Sequence, residues 1–215
     1  MTHTLHRYGD AASFGDDYIL LAIPAKGHND EGAVEKLRTF LRICAAHKPV
    51  NMGNGDLGAY YPSQGSPTPD YEKVIASVSK PNSVAAEFDS KEKLVAALRE
   101  VVKADLGISI NLSNSVEGAH QCCRETGIQR HSVEYALGFM DRHNHLPNSQ
   151  VLEISTMCGH GMVSHNLVEK MIASVKENDR TPEEAARYLA CFCPCGVYNP
   201  ARAKRLLEEA RTRQH

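Results

Sequence analysis

The N-terminal half of the chain alternates strand-like and helix-like hydrophobic patterns. Residues 17–23 form a nearly uninterrupted apolar run, which predicts a buried strand, and apolar positions in residues 31–47 recur at helical spacing. Residues 83–88 and 106–113 alternate apolar and polar side chains, which predicts two further strands. A helix is predicted after each of them, the second over residues 115–126.

The C-terminal half begins with two more predicted strands and then turns helical. Alternation over residues 131–140 and apolar residues in 151–157 predict the strands. The apolar face of residues 162–176 predicts a helix. Two more helices are expected, because Thr181 and Asn199 are each followed by a proline, the start signal of a helix.

These patterns predict an α/β fold. We expect a mixed sheet of about five strands with flanking helices, followed by a C-terminal helical unit. Residues 1–157 would form the α/β domain, and residues 158–215 the helical unit that carries most of the cysteines. Within the first domain, residues 49–70 are rich in Gly and Pro and are predicted to form a long loop.

Composition and charge narrow the possible partners. The 215-residue chain has 24 basic and 26 acidic residues, so its net charge is -2. This balance argues against nucleic acid and membrane surfaces as partners. The chain shows no signal-peptide pattern and no apolar run of the roughly 18 residues that a membrane span needs. We therefore expect a cytoplasmic protein, and a homo-oligomer stays open.

The seven cysteines are unevenly distributed along the chain. In a reducing compartment they are expected to be thiols or metal ligands rather than disulfides. Cys44 lies on the apolar face of a predicted helix and is expected in the core. The other six come after residue 120: Cys122, Cys123, Cys158, Cys191, Cys193 and Cys195.

The segment of residues 154–164 is the first candidate for chemistry. Cys158 would end a predicted strand just before a helix, and a helix N-terminus favours negative charge. The glycines on either side of His160, at 159 and 161, would let backbone N–H groups approach a ligand. We therefore predict an acidified, catalytic Cys158 with His160 assisting it.

Two short strings carry a family resemblance. The string MCGHG at residues 157–161 resembles the loop of proline racemase and its relatives, in which the cysteine is an acid or base toward the substrate α-carbon. PCGVYNPAR at residues 194–202 resembles the second cysteine loop of that family. The resemblance covers only these residues. It implies an alternative function, a metal-free enzyme in which Cys158 and Cys195 act on a carboxylate substrate.

The second candidate is a cluster of cysteines where a helix must break. Cys193 and Cys195 flank Pro194, and thiols so placed are typical of iron–sulfur or zinc sites. If they converge with Cys158 and with one of Cys122 or Cys123, they provide the four thiolates of a [4Fe-4S] cluster. The role of Cys191 stays open. Zinc is the alternative metal, although the spacing does not match its commonest pattern.

Together these features predict a cytoplasmic iron–sulfur protein, with a lyase or isomerase as the enzyme class that such a site would suit. With three firm ligands, one iron would stay open as a Lewis acid for a small anionic substrate. A non-catalytic zinc module or a cluster carrier is a further alternative. The residues expected to bind the substrate share small or polar side chains near the predicted cluster: Gly159, Gly161, Ser164, Asn111, Ser113 and Arg202.

Overall fold

The computed structural model describes residues 2–55, 58–59, 66, 68–140 and 144–212. These residues form a five-stranded sheet with helices on both faces. Four strands have four to six residues, and one edge strand has only two. The strands are β1 Tyr18–Ile23, β2 Asn51–Asn54, β3 Gly58–Ala59, β4 Val84–Phe88 and β5 Ser109–Ser113.

The described sheet is antiparallel. The strands lie in the order β3-β2-β4-β1-β5, and each described pair is antiparallel. β1 and β2 run in the same direction, but β4 lies between them, which is the split β-α-β arrangement of ferredoxin-like sheets. The predicted α/β class is therefore confirmed coarsely, whereas a mixture of parallel and antiparallel pairs is wrong for the described strands.

Eight α-helices lie within the described residues. After a short 3-10 helix at Thr2–His6, the helices are α1 Ala33–Ala46, α2 Tyr71–Ser77, α3 Lys91–Ala104, α4 Val116–Thr126, α5 Ser149–Ser155, α6 His165–Lys176, α7 Pro182–Ala190 and α8 Pro200–Thr212. No described helix is long and apolar enough to cross a membrane.

Each face of the sheet has its own core. Leu20 and Ala22 of β1 pack with α1 to α4, whereas Ile19 and Leu21 pack with α5 to α8. Burial on both faces explains why β1 is apolar throughout rather than alternating. The C-terminal helices thus share a core with the sheet, and the predicted domain boundary after residue 157 stays a prediction.

Two predicted strands are absent from the described residues. Residues 151–157 were expected to be extended, but α5 occupies most of them, because the Asn148 side chain caps the helix by accepting from the Val151 N–H. A short apolar run does not by itself distinguish a buried helix from a strand. Residues 131–140 are exposed, belong to no described helix or strand, and have no paired neighbour in the described sheet.

The predicted loop at residues 49–70 contains strand structure. β2 is fully buried and pairs with β4, although its sequence, Asn-Met-Gly-Asn, has no β-branched residue. Sheet context overrides weak local propensity here. The other part of the loop prediction falls mostly on residues 56–57, 60–65 and 67, which lie outside the described residues.

Candidate metal centre

Three cysteine side chains and one histidine meet on the α5 to α8 side of the sheet. The Sγ atoms of Cys193 and Cys195 are 3.9 Å apart, and Cys195 Sγ lies 3.7 Å from His160 Nδ1. Cys158 lies close enough to Cys193 for each thiol to shift the pKa of the other. The three thiols are buried, whereas His160 is exposed. The structure therefore brings together Cys158, His160, Cys193 and Cys195 from two separate segments.

The segment that carries Cys193 and Cys195 is held between α7 and α8. The Cys193 N–H donates to the Ala190 carbonyl at the end of α7. Gly196 has a φ of 70°, a left-handed conformation that favours glycine. Its backbone lies directly against Gly53 of β2, where an added Cβ would sit 2.8 Å from the Cys195 carbonyl. Close backbone contact between two glycines thus fixes this segment on the sheet.

The turn that carries Cys158 and His160 differs from the predicted one. It follows the end of α5, and the Gly161 N–H donates to the Cys158 carbonyl at 3.0 Å. Gly159 is half-buried in this turn, and Gly161 has a φ of 70°. Helix α6 begins only at His165, with the Ser164 hydroxyl as its cap. The expected strand-to-helix junction at Cys158 is therefore wrong, because the next helix, α6, begins seven residues after this thiol.

The pKa is lowered at Cys195 and not at Cys158. The hydrogen bond with Cys193, followed by burial, raises the pKa of Cys158. The hydrogen bond from Cys193 lowers the pKa of Cys195, and the Val197 N–H and the charge of Arg7 lower it further. The predicted acidification thus appears at Cys195, whereas the pKa of Cys158 shifts in the opposite direction.

A buried ionic network lies beside the thiols. Arg7 donates to the Val197 carbonyl and to Asp17, and Arg202 Nη1 lies 2.8 Å from Asp17 Oδ2. The Asn199 side chain donates to Glu87 Oε1 at 3.1 Å. Burial, and then the neighbouring Asp17, raise the pKa of Glu87. The charges in this network are close enough to the thiols to act on them.

Most of this network was missed by sequence reasoning. In β4, Val84, Ala86 and Phe88 point to one core, and Glu87 would be expected to face solvent on the other side. Instead Glu87 is fully buried, because α8 covers that face. Arg7 and Asp17 carry no local signal, because their partners lie far away in the sequence. A charged residue inside an otherwise apolar strand was the one available hint.

Arg202 and Ser164 are committed to structural contacts. Arg202 was expected to bind substrate, but it is fully buried, and its Nη2 donates to the Tyr8 carbonyl and the Ser13 hydroxyl. Together with the Asp17 ion pair, these contacts place the guanidinium inside the protein. Ser164 caps α6, as described above. Neither side chain lies free to orient a substrate at the thiols.

The two cysteines of α4 lie apart from the other thiols. Cys122 is buried in the core formed with α1 to α3, on the opposite face of the sheet. Cys123 lines a cavity of about 460 Å³ beside β5, together with Asn111 and Ser113. The structure therefore does not bring either cysteine, or the two predicted substrate-binding residues of β5, to the thiol cluster. Cys191 is exposed, and its thiol donates to the Arg187 carbonyl at 3.3 Å.

The cluster contains the side-chain types that bind metals, but their positions are not those of a formed metal site. Across the described ranges, no group of three or more His, Cys, Asp or Glu side chains is arranged to hold a metal ion. Beside the cluster, the hydroxyl of Tyr198 is buried without a hydrogen-bond partner in the described part of the chain. After burial, the nearby Cys193 and Cys158 raise the pKa of this hydroxyl, which places it within the electrostatic reach of both thiols.

Comparison with known proteins gives no further guide. None of the family models, curated proteins or solved structures matches this chain. A functional hypothesis must therefore come from the site.

Proposed function

We propose that the protein is a metal–thiolate module in which Cys158, Cys193, Cys195 and His160 bind one transition-metal ion. Zinc is the ion that fits best, because three thiolates and one imidazole are a common ligand set of structural zinc sites. Four protein ligands close the coordination sphere, which is typical of a structural rather than a catalytic metal. The metal would then join the turn after α5 to the segment between α7 and α8.

The observation that carries the proposal is the spacing of the donor atoms. With zinc bonds of about 2.3 Å to sulfur and about 2.05 Å to nitrogen, a tetrahedral site has edges of about 3.8 Å between sulfurs and about 3.6 Å between sulfur and nitrogen. The distances of 3.9 Å between the Sγ atoms of Cys193 and Cys195 and of 3.7 Å between Cys195 Sγ and His160 Nδ1 are close to these edges. Binding would require the Cys158 and His160 side chains to turn toward a common point.

Charge gives a second, independent argument. Zinc with three thiolates and a neutral imidazole carries one net negative charge, because three negative charges oppose two positive ones. The adjacent network holds two guanidinium groups, Arg7 and Arg202, against the carboxylate of Asp17. Glu87 lies 3.4 Å from Arg7 in the same network, and burial and the neighbouring Asp17 raise its pKa. The two guanidinium groups therefore place positive charge beside the centre, where it would stabilise a net negative charge.

Tyr198 fits the same proposal. A buried hydroxyl without a partner is costly, so a group that completes its hydrogen bond is expected. A metal-bound thiolate accepts hydrogen bonds, and Cys193 and Cys158 are the thiols that act on this tyrosine. Support of this kind from outside the ligand set orients metal ligands in known sites.

An iron–sulfur cluster is less compatible with this spacing. Each thiolate of a [4Fe-4S] cluster binds a different iron, so its sulfurs are further apart than those around a single ion. The two cysteines of α4, which would complete a set of four thiolates, lie elsewhere in the fold. The iron–sulfur centre, the lyase or isomerase activity and the small anionic substrate stay predictions.

Metal analysis tests the proposal directly. Protein purified without oxygen after growth with zinc and iron should contain about one zinc per chain and no acid-labile sulfide. Cys193→Ser, Cys195→Ser and His160→Ala should lower the zinc content. Cys44→Ser and Cys122→Ser are matched controls that should keep it, because these thiols lie in the other core. Iron with sulfide would instead support the cluster, and protein without metal would refute both.

A further inference from the structure

Cys193 and Cys195 are neighbours in space as well as in sequence. Only Pro194 separates them along the chain, and their Sγ atoms are 3.9 Å apart. Neither thiol is part of a disulfide. The sulfur atoms of a disulfide are about 2.05 Å apart, so this pair would have to approach by about 1.9 Å to form one. The two thiols therefore already lie near the arrangement that oxidation of a cysteine pair requires.

The three clustered thiols differ in their access to the surface. Cys195 is 7% exposed, whereas Cys193 is 1% and Cys158 2% exposed. The exposed side chain of His160 brings its Nδ1 atom to 3.7 Å from Cys195 Sγ, so this thiol lies directly behind a surface residue. A small oxidant that enters beside the imidazole ring therefore meets Cys195 before it meets the two deeper thiols.

A fixed positive charge lies beside the accessible thiol. The Arg7 guanidinium donates to the carbonyl of Val197, two residues after Cys195. The hydrogen bond between Cys193 and Cys195, and then the charge of Arg7, lower the pKa of Cys195. Oxidants react with the thiolate, and low-pKa cysteines beside a resolving cysteine are typical of redox-sensitive sites. The surroundings of Cys195 thus agree with its position as the thiol that reacts first.

We propose that Cys195 and Cys193 form a reversible oxidation site for hydroperoxides, in which Cys195 is oxidised first and Cys193 closes a disulfide. In the first step, the Cys195 sulfur bonds to the outer oxygen of the hydroperoxide and the O–O bond breaks, which leaves a sulfenic acid. The departing alkoxide or hydroxide takes a proton from solvent. In the second step, the Cys193 sulfur attacks the sulfenic sulfur, the S–O bond breaks, and the hydroxyl leaves as water with the Cys193 thiol proton. The thiol pair loses two electrons, and the hydroperoxide takes them up.

Oxidation and metal binding would use the same sulfur atoms. A disulfide removes Cys193 and Cys195 as thiolate ligands, because metal sites of this kind bind deprotonated cysteine. Oxidation would therefore release the zinc ion and separate the turn after α5 from the segment between α7 and α8. This release rests on the proposed function, whereas formation of the disulfide does not.

Treatment of the full-length protein with equimolar hydrogen peroxide tests the site. We expect the loss of two free thiols, a mass lower by two hydrogen atoms, and a peptide map that places the bond between Cys193 and Cys195. Dithiothreitol should restore both thiols. Cys191→Ser is the matched control, because Cys191 is exposed and its thiol instead donates to the Arg187 carbonyl. This variant should form the same bond, and it leaves only one cysteine pair within that part of the map.

Two further variants test the order of the steps. Cys193→Ser should stop at a sulfenic acid on Cys195, which dimedone labels, and Cys195→Ser should not form the disulfide. Retention of all thiols in excess peroxide, a bond from Cys158 to Cys193, or dimedone labelling away from Cys195 would overturn the proposal. The wild-type and Cys191→Ser maps decide the site even if the other variants fold poorly. Zinc in the same samples is measured with a chelating dye, so a disulfide in zinc-free protein supports the oxidation site and refutes the metal module.

Discussion

The two faces of the sheet both bury cysteines, but they surround them with different chemistry. Cys44 and Cys122 lie among aliphatic and aromatic side chains packed under α1 to α4. Cys193 and Cys195 lie within reach of a histidine and a buried ionic network under α5 to α8. Burial alone raises the pKa of Cys44, whereas the neighbours of Cys195 lower its pKa. Cysteines thus fill the core under α1 to α4, whereas under α5 to α8 they have the surroundings of metal ligands.

The largest expected effect concerns the ionic network. Arg202→Ala removes one of the two guanidinium partners of the buried Asp17 carboxylate. We expect the free energy of unfolding to fall by about 3–5 kcal/mol, because a buried charge loses its compensation. Urea denaturation measures this loss.

A surface ion pair is the matched control. Arg124→Ala breaks an exposed pair with Glu117 at 3.4 Å and should cost no more than about 1 kcal/mol. If both variants lost the same small amount, the network would contribute no more than a surface pair. The α5 to α8 face would then depend on apolar packing, like the opposite face.

An intermediate effect is expected where β2 contacts the thiol segment. Gly53→Ala would place a Cβ 2.8 Å from the backbone of Cys195 and Gly196, where neither chain can move easily. We expect a loss of about 1–3 kcal/mol in the free energy of unfolding, measured by thermal or urea denaturation. Gly55→Ala is the control, because its neighbours at 3.3 Å are side-chain atoms of Asn82 and Ser83 that can adjust. Equal stability of the two variants would show that the contact tolerates extra volume.

The smallest effect is a difference in thiol reactivity. In metal-free protein, Cys195 should be alkylated at lower pH than Cys122, whose pKa burial raises to about 11. The direction follows because the thiolate is the reactive form, and a lower pKa gives more thiolate at a given pH. Mass spectrometry of peptides alkylated over a pH series gives the order. Faster reaction of Cys122 at every pH would reverse the proposed contrast between the faces.

Local signals in the sequence predicted much of the fold. The periodicity of residues 31–47 and the proline after Thr181 led to α1 and α7, because helix faces and caps are encoded within a few residues. The nature of α5 and the existence of β2 depend on tertiary contacts, so the patterns of residues 151–157 and 51–54 were misleading.

The site was predictable to a similar extent. Cys193 and Cys195 stand at a helix break, and the glycines around His160 mark a tight turn, so these segments were recognisable in the sequence. Which face of the sheet α4 covers depends on the strand order, and this separates Cys122 from the other thiols. The Arg7 and Asp17 contacts join distant residues and had no local signal.

The contact between Arg7 and the Val197 carbonyl has a consequence for biosynthesis. It joins positions 190 residues apart, so it cannot form until Val197 has left the ribosome. Contacts of such sequence separation are slow to form because a long loop must close first. Until then, Arg7 and Asp17 can pair with each other, but the contacts of Arg7 with Val197 and of Asp17 with Arg202 cannot form. A ligand shared by Cys158, Cys193 and Cys195 can therefore bind only after the segment between α7 and α8 has been synthesised.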